Sequence, residues 1–412
     1  MNLAVLSVSA LALAVLVSCV SRLNVGVLAV ALAWIVGVYV GGLSASAVMG
    51  GFPSQLFLTL SGVTLLFAMA QSNGTLPRLT YHAVRVCRGN IGTIPVMFFF
   101  LGAALSSMGP GNIATAALLA PIAMATAART GIPLFLMAIM VGNGANAGGL
   151  SPFAPTGIIV NGILARNQMP GLEAQSYLYN LGAHVLIAFG GYTLFGGLRL
   201  FAADRSVAAT TDPEGETPFN RRQWITLGVI GALIVSVLAA GVHVGMAAFA
   251  GAVVLVLSGA ADDGEAIRQM PWRVIIMVCG VTVLIALVEK FQGLDLLVSL
   301  VARISTPSTV PAVVAFLTGL VSVYSSTSGV VLPAFLPLVP GLAASLPGAS
   351  AVSIAMSMNI GGHVVDVSPL STIGALCMAG AAASDSRKLF IQLLAWGLSM
   401  AVVAAVLCYV LF

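Results

Sequence analysis

Two stretches of this chain place amide and hydroxyl side chains beside glycine and proline inside otherwise apolar runs. The first holds Asn143, Gly144, Asn146, Gly148, Gly149, Ser151, Pro152, Pro155, Thr156 and Gly157, between an apolar run that begins near Ile132 and its continuation from Ile158 to Leu164. The second holds Asn359, Gly361, Gly362, Ser368, Pro369, Ser371, Thr372 and Gly374. Oxygens of Asn, Ser, Thr and free carbonyls suit a hard cation such as Na⁺. A helix that restarts in mid-run aims free N–H groups and the positive end of its dipole at whatever lies before it, which suits an anion. Broken backbone at membrane depth has to line a cavity or be buried in protein, because lipid cannot satisfy its hydrogen bonds. A pair of such interrupted apolar segments is a pointer to a binding site within the membrane.

Matched on Asn-x-Gly-Gly, the second break carries four extra residues, among them His363 and Asp366. Asp366 is then the only carboxylate expected near mid-membrane, a position that costs about 2.5–3.5 kcal/mol on insertion scales unless a partner compensates. Ser151-Pro152 and Ser368-Pro369 each read as a helix N-cap followed by proline at the first helical position.

The surrounding composition calls for a membrane. Of 412 residues, 59% are hydrophobic and 7% charged, against about 25% charged in soluble domains. The net charge of +4 comes with no basic patch interleaved with aromatics, so no nucleic-acid partner is expected. Five scattered cysteines show no metal-ligand spacing. Leu16-Val17-Ser18-Cys19 resembles a lipoprotein cleavage box, but no Lys or Arg precedes it, and a first transmembrane helix is the preferred reading.

Taken in order, the apolar runs predict an all-α polytopic membrane protein of two repeats. Residues 1–200 form the first, with a re-entrant hairpin at about 94–128 and a broken helix at about 132–165. The polar stretch 201–222 is a cytoplasmic linker. Residues 223–412 form the second repeat, with a hairpin at about 310–345 and a broken helix at about 350–383. Gly62-Val-Thr-Leu-Leu-Phe-Ala-Met69 returns as Gly280-Val-Thr-Val-Leu-Ile-Ala-Leu287. Five full spans in each half, about ten in all beside the two hairpins, force the halves into opposite orientations. With both termini outside, thirteen basic residues fall inside and only Arg166, Lys290 and Arg303 outside, in keeping with the positive-inside rule. The basic segment Gln71–Gly92 reads as a cytoplasmic loop or surface helix, and the single histidines His184 and His243 as packing residues.

The hairpin tips carry a more specific likeness. Gly111-Asn112-Ile-Ala-Thr115 followed by Pro121 resembles the Ser-Asn-Thr hairpin signature of the divalent anion:sodium symporters, and Asn146-Ala-Gly148-Gly149 resembles their broken-helix segment. Ser326-Thr-Ser-Gly-Val-Val-Leu-Pro333 and Asp366-Val-Ser-Pro369-Leu-Ser-Thr372 resemble the malonate/dicarboxylate carrier branch of the same ion-transporter superfamily. The resemblance implies Na⁺-coupled symport of a small dicarboxylate, an elevator-type motion, a homodimer in the lipid bilayer of the cell (inner) membrane, and no cofactor beyond the coupling ion. It implies substrate contacts at Asn112, Thr115, Ser151, Thr156, Ser326, Thr327, Ser328, Ser368 and Thr372. Cation contacts would come from Gly111, Asn112, Asn146, Gly149, Asn359 and Asp366. The chain departs from the signature with Gly111 and Ile113 where Ser and Thr stand, and its second tip lacks Asn. A proton-coupled organic anion carrier or a cation/proton antiporter on the same scaffold is the alternative. No His-Glu-x-x-His, Gly-x-Ser-x-Gly or nucleotide-binding loop is present, so neither an enzyme nor an ATP-driven pump is expected.

Overall fold

The computed structural model describes residues 2–21, 23–86, 90–202, 218–379 and 386–412. Arg22, Arg88 and Arg205, the acidic centre of the linker (Asp204, Asp212, Glu214, Glu216) and the end of the second broken segment at 380–383 lie outside the described residues.

Among the described residues, every element is helical. The first half runs α1 (Leu3–Val20), α2 (Val25–Trp34, prolonged by a π-helical turn over Ile35–Val40), the short α3 (Ala45–Met49), α4 (Ser54–Ser72) and α5 (Thr75–Val86). A helical hairpin of α6 (Thr93–Met108) and α7 (Gly111–Thr130) follows. Next come α8 (Leu134–Ala147), a break, α9 (Pro155–Arg166), α10 (Glu173–Leu194) and α11 (Gly197–Ala202). The second half gives α12 (Arg221–Ala240), α13 (Val244–Leu257), the short α14 (Asp263–Gln269), α15 (Trp272–Lys290) and α16 (Gly293–Arg303). Its hairpin pairs α17 (Val310–Ser322) with an arm that starts as a π turn over Thr327–Val331 and continues through α18 (Leu332–Phe335) to α19 (Val339–Ser345). Then come α20 (Ala351–Val364), a second break, α21 (Thr372–Ala379) and α22 (Ser386–Leu411). Pro333, Pro337 and Pro340 each remove a backbone donor, which is why this arm changes helix type along its length.

Among the described residues, five helices are long and apolar enough to cross a membrane: 54–72, 111–130, 272–290, 327–345 and 386–411. Shorter apolar helices accompany them. The chain is a multi-pass membrane protein. One helix takes up an alternative left open by the sequence, and another stands where none was expected. The basic segment after α4 folds as the helix α5. No element was expected at α16, yet Leu294, Leu297 and Val301 pack against the core beside buried Val298, the spacing of one helical face.

Small residues set the closest approaches. A Cβ on Gly26 of α2 would lie 2.2 Å from the carbonyl oxygen of Ile276 in α15, and one on Gly280 would lie 2.2 Å from the Gly26 carbonyl. In the same way Gly62 of α4 meets the Gly245 carbonyl of α13 at 2.3 Å. Each of these crossings joins a helix of one half to a helix of the other. Within each half the hairpin lies equally close to the broken helix. Gly144 faces the Phe99 carbonyl at 2.4 Å, and Gly361 faces that of Ala315 at 2.2 Å. One apolar cluster gathers the hairpin arms with α8, α10, α17, α20 and α22, around Phe98, Phe99, Met137, Met140, Ile360 and Leu393. Another gathers α4, α13 and α15 with α9 and the second hairpin arm.

Candidate binding site at the hairpin tips

The two breaks are built alike. In the first, Gly149 N–H donates to the Asn146 carbonyl, Ser151 N–H to Gly148 and Ala154 N–H to Ser151. In the second, Asp366 N–H donates to His363, Ser368 N–H to Val365 and Ser371 N–H to Ser368. Both serines then reach back to a hairpin: Ser151 Oγ donates to the Ser107 carbonyl (2.7 Å), and Ser368 Oγ to that of Val323 (3.2 Å). Gly157 and Gly374 each pass so close to the turn that a Cβ would lie 2.0 Å from the Ser151 or Ser368 carbonyl oxygen.

This shared ladder corrects two readings of the sequence. The second break has no four-residue insertion. His363 occupies the place of Asn146 and Asp366 that of Gly149, while Asn359 corresponds to Gly142, one turn earlier. The repeated Asn-x-Gly-Gly is a coincidence of composition, shifted by one helical turn. Nor do Ser151 and Ser368 cap the restarting helices. α9 begins at Pro155 with Ala154 as its cap residue, and α21 begins at Thr372. The Ser-Pro pairs form the turn before the restart.

At the first tip, Gly109 (φ +139°) and Gly111 (φ +77°) turn the chain from α6 into α7. Phe67 of α4 occupies the space a Gly109 side chain would need, and Pro155 crowds Gly111 at 2.7 Å. Asn112 is buried, its Nδ2 donating to Asn146 Oδ1 (2.9 Å). Its Oδ1 accepts from the Ile113 N–H (3.1 Å) and from Thr156 Oγ1 (3.4 Å). Asn180 of α10 donates to the Asn146 carbonyl at 2.8 Å. Asn112, Asn146, Thr156 and Gly111 therefore come together, with Gly149 against Asn112. Thr115 and Ser106 are buried nearby with hydroxyls that have no partner. Asn146 Nδ2 is likewise unpartnered among the described residues; buried polar atoms left in this way call for a bound water or ion, the hydroxyl oxygens suiting a cation and the amide nitrogen an acceptor.

At the second tip, the hydroxyls of Ser322 and Thr327 are hydrogen-bonded to each other, and both reach the Gly362 carbonyl (2.8 and 3.2 Å). Ser326 Oγ accepts from the Gly329 N–H, capping the arm. Met277 of α15 presses on Gly329. The Asp366 carboxylate is buried beside the hydroxyls of Thr327 and Ser371. It does not pair with His363, whose Nδ1 meets the Asn359 carbonyl (2.9 Å) and whose Nε2 has no partner. The Asn359 side chain is buried with both polar atoms unpartnered. Thr372 is exposed at the start of α21. His184 is fully buried, its Nδ1 bonded to Asn143 Oδ1 at 2.8 Å and its Nε2 without a partner among the described residues.

A cavity of about 390 Å³ opens at the first tip, within the usual size range for small-molecule sites. Gly111, Asn112, Pro155 and Thr156 line it, and Ser328 enters it from the second tip. The starts of α7 and α9 therefore both face this space. Its other walls come from Thr64, Phe67 and Gln71 of α4, Gln269 of α14 and Val274 of α15. Sequence reasoning missed these residues, although the recurrence of Gly62–Met69 as Gly280–Leu287 marks α4 and α15 as related elements. None of the residues lining the cavity is charged.

Two interrupted helices facing hairpin tips, with an uncharged and mainly apolar cavity at the first tip, form the arrangement expected of a transporter's binding site. The fold is similar to the crystal structure of the YdaH transporter of Alcanivorax borkumensis, with a TM-score of 0.60 and 18% identity over 88% of this chain and 86% of that one. At that identity the likeness is one of fold. Residues 1–149 match the family model described as the dicarboxylate carrier protein MatC N-terminus. No curated protein matches the chain.

Proposed function

We propose that this protein is a secondary carrier for a small dicarboxylate, coupled to Na⁺, and that its two halves lie in opposite orientations and carry the substrate by an elevator-type movement. The observation that supports this most directly is the uncharged cavity at the first hairpin tip, faced by the N-termini of α7 and α9. Each helix start presents about half a positive charge. Backbone N–H groups and co-bound cations can therefore balance a dianion where no Arg or Lys is present. The unpartnered oxygens of Thr115 and Ser106 beside the Asn112–Asn146 pair suit one coupling cation, and Asp366 with Thr327 suits a second. The match of residues 1–149 to a dicarboxylate carrier model supports the substrate class. As a dimer in the cell membrane, with both termini outside, the carrier would bring its substrate inward.

The test is uptake of a radiolabelled dicarboxylate panel by proteoliposomes, with Na⁺ and pH gradients imposed separately. Uptake that follows an inward Na⁺ gradient and disappears in its absence is expected. Uptake driven by a proton gradient alone would favour the proton-coupled reading, for which the buried carboxylate of Asp366 is the specific observation. No uptake of any dicarboxylate under either gradient would overturn the proposal.

A further inference from the structure

The cavity is unequally furnished. Its polar side chains are mostly committed elsewhere. Asn112 uses both ends of its amide within the protein, the Thr156 hydroxyl donates to Asn112, and Thr64 Oγ1 bonds back to the Leu60 carbonyl. Gln269 donates its amide to Glu265. The hydroxyl of Ser328, the amide of Gln71 and Gln269 Oε1 make no side-chain hydrogen bond among the described residues. Between them and the helix starts, the wall is apolar. Ile113, Ala117 and Leu118 line it from α7, Ile159 from α9, and Phe67 and Val274 from α4 and α15. Ile113 is only partly buried and stands directly after the Asn112 of the tip, so its side chain offers hydrocarbon where a ligand leaves the N–H groups.

We infer that Ile113, with Ala117 one turn further along α7, makes the site selective for short dicarboxylates with an unsubstituted carbon chain over those bearing a hydroxyl or amino group between the carboxylates. This rests on the proposed transport of dicarboxylates and specifies which of them. A substituent hydroxyl turned toward Ile113 and Ala117 loses its water without gaining a partner from that wall, the free polar groups of Ser328, Gln71 and Gln269 belonging to other elements of the lining. An apolar pocket discriminates against such an added group by about a hundredfold at most, so the preference is substantial without being absolute.

The experiment measures the concentrations of unlabelled succinate, malate and aspartate that half-inhibit uptake of labelled succinate by the purified full chain in proteoliposomes. Succinate should compete about 10- to 100-fold better than malate or aspartate. Ile113→Thr places a hydroxyl in the wall and should narrow the succinate–malate gap at least fivefold, mainly by improving malate. Ala117→Ser, a smaller change at an exposed position, should narrow it in the same direction if Ile113→Thr does not reach the membrane. Equal competition by succinate and malate in the unmodified protein would overturn the inference while leaving dicarboxylate transport intact. An unchanged gap in both variants would do the same. Uptake of malate or aspartate without uptake of any unsubstituted dicarboxylate would also overturn it, whereas no uptake of any dicarboxylate would overturn the proposed function itself.

Discussion

Asp366→Asn separates a coupling role from a structural one. The carboxylate is buried, faces the hydroxyls of Thr327 and Ser371, and among the described residues has no cationic side chain bonded to it. A cation held about 4 Å from an ionised carboxylate gains about 4 kcal/mol at an effective dielectric of about 20. Desolvation of both charges cancels part of that gain. A net of about 1.4–2.8 kcal/mol corresponds to a ten- to hundredfold change in affinity. Asn preserves the shape and an acceptor oxygen but removes the charge, so the Na⁺ concentration for half-maximal uptake should rise by that factor. The assay is initial uptake in proteoliposomes against Na⁺ at fixed pH, with a second series against pH at saturating Na⁺. Size-exclusion chromatography in detergent confirms folding. A half-saturation within twofold of the unmodified protein, together with an unchanged pH profile, would refute the reasoning and leave Asp366 as a turn residue.

Gly109→Ala should abolish most transport, because a Cβ there would lie 1.9 Å from the Phe67 ring at a backbone φ of +139°; a normal uptake rate would count against a tightly packed first tip. Tyr192→Phe should lower stability by about 1–3 kcal/mol, since the single phenol proton is shared between the carbonyls of Gly92 (2.6 Å) and Gly197 (2.9 Å); thermal unfolding in detergent measures the loss, and an unchanged midpoint would contradict it. Single cysteines at the exposed positions Pro218 and Gln168 should react with a membrane-impermeant maleimide from opposite sides, Pro218 from the cytoplasm. Labelling of both from one side would remove the inverted orientation.

The helices and their interruptions were legible because apolar runs, glycine and proline act locally. Thr93–Met108 and Gly111–Thr130 meet where Gly109-Pro110-Gly111 places them, and both breaks fall within the expected segments. The register between the breaks was not legible. Asn-x-Gly-Gly occurs in both halves, but the equivalence of His363 with Asn146 appears only in hydrogen bonds across the turn. The restart at Pro155 escaped for a related reason: Ser151-Pro152 has the composition of a cap, whereas Ser151 Oγ is drawn to a carbonyl on α6. Phe67, Gln71 and Gln269 were invisible as cavity residues because tertiary packing alone brings α4 and α14 beside the tip of the first hairpin.

The glycine crossings bear on how the molecule is made. Gly26 needs the backbone of α15 against it, and Gly62 needs that of α13, yet both partners leave the ribosome long after α2 and α4 have entered the bilayer. Until then those glycine faces lack the backbone they pack against in the whole chain. It cannot finish as an independent unit and then receive the second half as a neighbour. Synthesis of the carboxyl-terminal helices is therefore a folding step for the amino-terminal ones, and a chain ending after α11 should be held by membrane quality control as an unfinished protein. Cutting the finished protein within the linker, by contrast, should leave the two fragments interlocked.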